Sequence, residues 1–165
     1  MNQAERETLM KLAGSCAIRE LRQTHLEAKV VRSPTAAEKE VVPEVEVALQ
    51  IARNPTTPKS EFATIFRFGV SLSPESQPAE ALVRMQYHAV LVYSVGEEMG
   101  FSDEDLRLFG QTNAMVHVWP YLRAFVQNSC AQIGAPIVSL PIFRVGQPLS
   151  WARNDTQNPV ASPKG

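Results

Sequence analysis

Apolar residues at alternate positions along three stretches restrict the fold of this chain more than any other feature. The stretches are residues 44–52, 61–72 and 80–95. Because successive side chains of a β-strand point to opposite faces of a sheet, each stretch predicts a strand with one apolar face. The positions on this face are Val45, Val47, Leu49 and Ile51, then Phe62, Thr64, Phe66, Phe68, Val70 and Leu72, then Val83, Met85, Tyr87, Ala89, Leu91 and Tyr93. Proline-containing turns at 54–59 and 74–78 separate the stretches, as is typical of antiparallel strands.

A further strand is predicted before these three, over residues 17–31. Its later half alternates, but Leu21 has the opposite parity, which indicates a bulge near residues 23–24. A polar crossover over 34–43 then leads to the next strand. Residues 17–95 therefore predict a four-stranded antiparallel meander sheet with one apolar face.

The hydrophobic period changes after Gly96 from two residues to that of a helix. Ser102 is a predicted N-cap, and the acids at 103–105 suit the positive end of a helix. The apolar positions that follow are Leu106, Phe109, Met115, Val118, Trp119, Leu122, Val126, Cys130 and Ile133. Gly134 and Pro136 end the helical pattern. A shorter helix is predicted over residues 3–14, so the fold class is α+β.

Pro120 lies inside the long helical pattern of residues 102–134. Proline removes one helical hydrogen bond and clashes with the preceding turn, so it is tolerated in a first turn or at a kink. The pattern therefore predicts two helices or one long kinked helix. Trp119, Tyr121, Leu122 and Phe125 spread apolar surface around much of this segment. A second subunit could cover it, or the helix could be buried all round within one chain.

The length of 165 residues suits one domain, which we place at residues 1–145, with a short extended segment at its end and a flexible C-terminal tail at 146–165. The formal net charge of −1 and the scattered basic residues give no field that would attract nucleic acid.

Charged residues interrupt the first fifteen positions, which argues against an export signal. No apolar run reaches the length of a membrane span. We expect a cytoplasmic protein with two reduced thiols, Cys16 and Cys130.

The residues that could carry chemistry do not form a known catalytic or ligand pattern. His25, His88 and His117 lie on different predicted elements, without the spacing of a zinc site. The glycines do not cluster into a phosphate-binding loop. The sequence therefore predicts binding surfaces and no enzyme, and it indicates neither a cofactor nor a metal.

Taken together, these patterns resemble the SecB family of export chaperones over residues 16–143. The helical region Phe109–Phe143 is the most specific part, with an aromatic-Pro-Tyr-x-Arg motif that reads Trp119-Pro120-Tyr121-Leu122-Arg123. Pro43–Ile51 is similar to the second strand of that family. The resemblance implies a four-stranded sheet with a long helix, assembled as a homotetramer, a dimer of dimers. It also implies an ATP-independent holdase that binds unfolded or nascent polypeptides in apolar grooves.

Three departures from the family pattern bear on the partners. The resemblance implies acids on the exposed sheet face for docking to the SecA motor, but His25, Lys29, Arg84 and Met85 occupy about those positions. The amphipathic C-terminal helix of the family is missing, and the N-terminal helical segment is longer. These traits are similar to those of divergent SecB-like chaperones of toxin–antitoxin systems. The resemblance therefore implies either general export clients or one dedicated client such as an antitoxin, and it argues against SecA.

The candidate client-binding residues combine the apolar strand positions with the aromatic face of the helix. They are Val45, Val47, Leu49, Phe66, Phe68, Trp119, Tyr121 and Phe125. The candidate oligomer-interface residues are Val118, Trp119, Leu122 and Val126. For each of them, an ordinary place in the core is the alternative. The second class of function left open is a non-chaperone module that binds or assembles with one folded partner.

Overall fold

The structure, a computed structural model, describes residues 3–35, 38, 40–53, 61–96 and 100–145. The predicted turn at 54–59 and the predicted C-terminal tail at 146–165 lie outside the described residues. The elements in chain order are helix α1 (Gln3–Ser15), strands β1 (Cys16–Val30), β2 (Val41–Ala52), β3 (Glu61–Pro74) and β4 (Val83–Val95), helix α2 (Asp103–Phe109), a π turn (Gly110–Ala114) and helix α3 (Met115–Ile133). The α+β class, the four antiparallel strands and the long helix are confirmed.

The strands lie in the order β1-β4-β3-β2. The predicted consecutive pairing is found for β2, β3 and β4, whereas β1 lies beside β4 at the other edge. The connection at residues 31–40 therefore crosses from one edge of the sheet to the other. The register of β1 against β4 shifts at Ile18/Glu20 and at Gln23/His25. The second shift confirms the predicted bulge.

An ion pair holds the described part of this crossover. The Arg32 guanidinium donates to both carboxylate oxygens of Glu38 at 2.8 and 2.6 Å, and the Thr35 N–H donates to the same carboxylate at 2.7 Å. Arg32 also lies 3.3 Å from Glu80, which follows β3. The crossover is thus fastened to the turn between β3 and β4.

One face of the sheet is buried under the helices. It presents Phe62, Phe66, Phe68, Val70 and Leu72 from β3 and Met85, Tyr87, Ala89, Leu91 and Tyr93 from β4. Phe109 of α2 packs edge-on against Tyr93, with ring centroids 5.0 Å apart. From α3, the side chains of Val118, Leu122 and Val126 are fully buried. The core is therefore formed by the residues that the alternation assigns to the apolar face of the sheet.

The long helical region runs without a break from Asp103 to Ile133, with a π turn in the middle. Ser102 caps it as predicted, since the Asp105 N–H donates to the Ser102 hydroxyl at 3.1 Å. Gly134 ends it in the left-handed region, at φ 68°. Pro120 lies within α3, beyond its first turn. The π turn inserts an extra residue, so α2 and α3 direct different faces toward the sheet.

Candidate functional site

Strand β1 carries apolar side chains that no helix covers. Ile18, Leu26 and Val30 are 47%, 50% and 44% exposed. Their partners on β4 are Tyr93, Tyr87 and Val83, all buried, so these three side chains lie on the helix-facing side of the sheet. Within the described part of the chain β1 pairs only with β4. Its outer edge therefore offers backbone groups that can pair with another chain.

Helix α3 forms the opposite wall of a groove beside β1. Tyr121, Phe125, Asn128 and Gln132 follow one another at intervals of four, three and four residues, which places them on one flank of the helix. The complete lining is Gln23, Leu26 and Ala28 from β1 and Tyr121, Ala124, Phe125, Asn128, Ser129, Gln132 and Ile133 from α3 and its end. The volume of the groove is about 470 Å³.

The lining combines apolar groups with neutral amides, and none of the described residues in it carries a charge. The ring of Phe125 packs on Tyr87, with ring centroids 5.5 Å apart. The Tyr87 hydroxyl is buried and makes no hydrogen bond of good geometry to a described residue. Burial raises the pKa of Tyr87, which keeps the hydroxyl protonated. The groove can therefore take apolar side chains while offering hydrogen bonds to uncharged polar groups.

On its other flank, α3 already holds a length of chain, which we call the strap (residues 136–143). Trp119 Nε1 donates to the carbonyl oxygen of Pro141 at 2.8 Å, and Arg123 Nε donates to that of Leu140 at 2.7 Å. Gln127 Nε2 donates to the Ser139 hydroxyl at 3.0 Å. Val138 and Leu140 are buried, whereas Ile137 and Ser139 are exposed. This alternation is that of an extended chain.

The candidate client-binding residues occupy different environments. Tyr121 and Phe125 line the groove, and Tyr121 is 46% exposed. Val47 and Leu49 are half-buried. The side chains of Val45, Phe66, Phe68 and Trp119 are buried within the single chain. The structure thus brings two of the eight together at an open surface.

The candidate interface residues all lie inside the chain's own core. Val118, Leu122 and Val126 have no exposed surface, and Trp119 is 2% exposed. The large apolar side chains of α3 that are exposed are Val116 and Tyr121, and Phe125 and Ile133 are half-buried. The sheet and the strap therefore cover most of the aromatic surface that the sequence pattern spreads around this helix.

The histidines and cysteines of the described residues pack against neighbouring side chains and do not form a reactive cluster. The Tyr93 hydroxyl lies 3.0 Å from His117 Nδ1, and burial lowers the pKa of His117. Burial raises the pKa of Cys16 to about 11, which leaves it a protonated thiol at neutral pH. On the outer sheet face the rings of His25 and His88 lie 4.8 Å apart. Among the described residues, no three side chains of the metal-ligating types come together as a site.

The sequence pattern missed half of the groove. Leu26 and Ala28 lie in the alternating half of the first predicted strand, but the pattern of one strand does not tell which of its apolar residues stay uncovered. Asn128 and Gln132 continue the spacing that begins at Tyr121 and Phe125. That spacing is the signal that could have found them.

The comparisons with known proteins support the fold. No protein-family model matches the chain, and no curated protein matches it in sequence. Among solved structures, the chain is similar to the Mycobacterium tuberculosis SecB-like chaperone Rv1957 in complex with a ChAD peptide from the antitoxin HigA1. The identity is 19%, the TM-score is 0.73, and the match covers 84% of this chain and 97% of that chain. A Streptococcus agalactiae protein of unknown function matches at 10% identity over 76% of this chain and 96% of its own, with a TM-score of 0.44. The fold is SecB-like.

Proposed function

We propose that this protein is an ATP-independent chaperone, a holdase that binds unfolded polypeptides and keeps them soluble. The observation that carries the proposal is the open, uncharged groove between β1 and α3, lined by apolar side chains and amides. An unfolded chain exposes apolar side chains and unpaired backbone groups, and such a groove can accept both. Binding of this kind needs no nucleotide.

The client we favour is one dedicated protein of the antitoxin type. Two observations support it. The SecB-like chaperone of similar fold was solved with an antitoxin peptide. In addition, the outer sheet face pairs Lys29 with Arg84 and His25 with His88, where docking to SecA would call for acids. General export clients remain the alternative within the same mechanism.

We also propose that the protein acts in the cytoplasm as a homotetramer. The surfaces that support assembly are the free edge of β1 and the exposed apolar side chains of Ile18, Val30 and Val116. The four candidate interface residues would contribute indirectly, by fixing the position of α3. None of the helices in the described ranges combines the length and hydropathy needed to cross a lipid bilayer.

The test is suppression of aggregation of a chemically unfolded client in the absence of ATP, followed by light scattering. Wild-type protein should lower the scattering in proportion to its concentration. Leu26→Asp places a charge in the groove at a half-exposed position, so it should abolish the effect while the protein stays folded. Val42→Asp is the matched control, because Val42 is 46% exposed and lies on the opposite sheet face.

Two outcomes would contradict the proposal. One is unchanged scattering in the presence of folded wild-type protein, and the other is equal loss of activity in the two aspartate variants. The second class of function, a module for one folded partner, predicts a different result. In that case a native partner would bind, and an excess of unfolded client would not displace it.

A further inference from the structure

Helix α3 contacts peptide chain on one flank and leaves the other flank open. On the filled flank, Trp119, Arg123 and Gln127 direct hydrogen-bond donors at the strap. Two of these donors bind backbone carbonyls, and the Val138 and Leu140 side chains, two residues apart, enter the core. This part of the molecule shows how the helix holds an extended segment without forming a strand.

The open flank repeats the elements of this arrangement. Tyr121 and Phe125 supply rings, and Asn128 and Gln132 supply amides one turn further along the helix. Within the described part of the chain the side chains of Asn128 and Gln132 make no hydrogen bond, although the filled flank uses its Gln127 amide. Across the groove, the side chain of Gln23 on β1 interacts with the buried Tyr87 hydroxyl and leaves the two helix amides as the open ones.

The spacing of the two helix amides matches an extended chain. Residues four apart on a helix are separated by about 6 Å along its axis. Two residues of an extended chain span about 6.6 Å, and the carbonyls of residues i and i+2 point the same way. The amides of Asn128 and Gln132 can therefore reach two carbonyls that lie two residues apart in an extended chain. A helical peptide does not present carbonyls two residues apart at this spacing.

We infer that the groove holds its client as an extended segment, with the carboxamides of Asn128 and Gln132 bonded to the client backbone. The apolar side chains of client residues i and i+2 then face Leu26, Ala28 and Phe125. This inference rests on the proposed function and specifies its substrate class: extended, uncharged segments with two apolar residues two positions apart. Because the amides contact the backbone, the sequence between those residues is free to vary.

The strap supplies the probe for a test. A labelled peptide of sequence GSGVSLGSG keeps the valine and leucine of the strap two residues apart and has no other apolar residue. The permuted peptide GSGVSGLSG has the same composition and places them three apart. Fluorescence anisotropy on the full chain should show the first peptide binding about tenfold more tightly, because only it can place both apolar side chains and both carbonyls at once.

The variant Asn128→Ala/Gln132→Ala should weaken binding of GSGVSLGSG by roughly tenfold, the effect of two hydrogen bonds, and should bring it close to the permuted peptide. Alanine suits an exposed helix position, so the fold should persist. Gln111→Ala, an exposed amide outside the groove, is the matched control and should leave both affinities unchanged. The side-chain amide NMR signals of Asn128 and Gln132 should shift on binding.

Equal affinity for the two peptides, or an undiminished affinity in the double variant, would overturn this inference and leave the holdase proposal standing. Failure of the wild-type protein to bind either peptide, together with failure to suppress aggregation, would overturn both. Suppressed aggregation without peptide binding would overturn only the inference.

Discussion

At Gly110 the helical region packs closely against strand β2. A methyl group at this position would lie 2.7 Å from Leu49 Cδ2 and 3.2 Å from Ile51 Cδ1. The backbone conformation at Gly110 is ordinary right-handed helix, so the need for glycine comes from the neighbouring strand. The Leu49 side chain thus fills the space between β2 and the π turn.

We predict that Gly110→Ala lowers the free energy of unfolding by about 1 kcal/mol. Overpacking costs about 1–3 kcal/mol, and the better helix propensity of alanine returns part of it. In a Leu49→Ala background the same substitution should become neutral or stabilising. Urea unfolding of the four proteins of this cycle measures the coupling. Additive effects of the two changes would show that the contact does not limit the packing.

The environment of Glu38, like that of Gly110, was not predictable from the sequence. Hydrogen bonds from Arg32 and from the Thr35 backbone lower the pKa of its carboxyl from 4.5 to about 2. A carboxylate with a lowered pKa in the folded state stabilises the fold above its unfolded pKa. That contribution is lost as the pH falls through the folded value.

The stability of wild-type protein should therefore fall between pH 4.5 and pH 2 more steeply than that of Glu38→Gln. At neutral pH the variant should be the less stable of the two. Its amide is neutral and has one acceptor oxygen, so it cannot accept hydrogen bonds from both guanidinium N–H groups as the carboxylate does. Unfolding curves at pH 7, 4 and 2.5 would show the difference narrowing. A constant difference over this range would exclude the ion pair as its source.

At the scale of elements, the strands and the helix ends were predictable because their signals are local. The alternation of β3 and β4, the Ser102 cap and the stop at Gly134 each depend on neighbouring residues. The π turn was not predictable, since it joins two faces whose directions are set by β2 and β4. Pro120 lies beyond that turn, so the proline signal did not locate the irregularity.

The strap is an element that few backbone hydrogen bonds hold, so its side-chain anchors should matter. Arg123→Ala removes the donor to the partly buried Leu140 carbonyl and leaves that acceptor without its protein partner, at a cost of about 1–3 kcal/mol. We expect faster limited proteolysis within 136–143 while the sheet remains protected. Gln127→Ala should have a smaller effect, because its partner Ser139 is exposed. Equal protection in both variants would show that apolar contacts alone fix the strap.

At the scale of the whole molecule, burial was predicted by parity but the open surface was not. Phe66 and Phe68 share a parity with Phe62, and one sequence does not reveal which apolar positions the helix leaves uncovered. The groove depends on β1 lying at the edge beside β4. That placement is a property of the strand order, which short turns and alternation do not determine.

Leu122→Ala separates a core role from an interface role. A fully buried leucine costs about 2–5 kcal/mol when it is truncated, whatever the protein concentration. If Leu122 contributed mainly to contacts between copies, the melting temperature of the variant would instead rise with protein concentration less steeply than that of wild type, because weaker association stabilises the folded state less. We expect parallel concentration dependences by calorimetry. Diverging curves would return Leu122 to the interface.

The strand order also sets the timetable of folding on the ribosome. β1 is synthesised before the other three strands, but its partner β4 ends at Val95, so β1 waits while some sixty-five further residues emerge. Pairing across such a sequence separation is slow, and an unpaired strand is exposed to aggregation in the meantime. Each newly synthesised copy therefore briefly exposes an unpaired strand, as an unfolded client would. Under the proposed function, mature copies already present could bind it and keep it from aggregating.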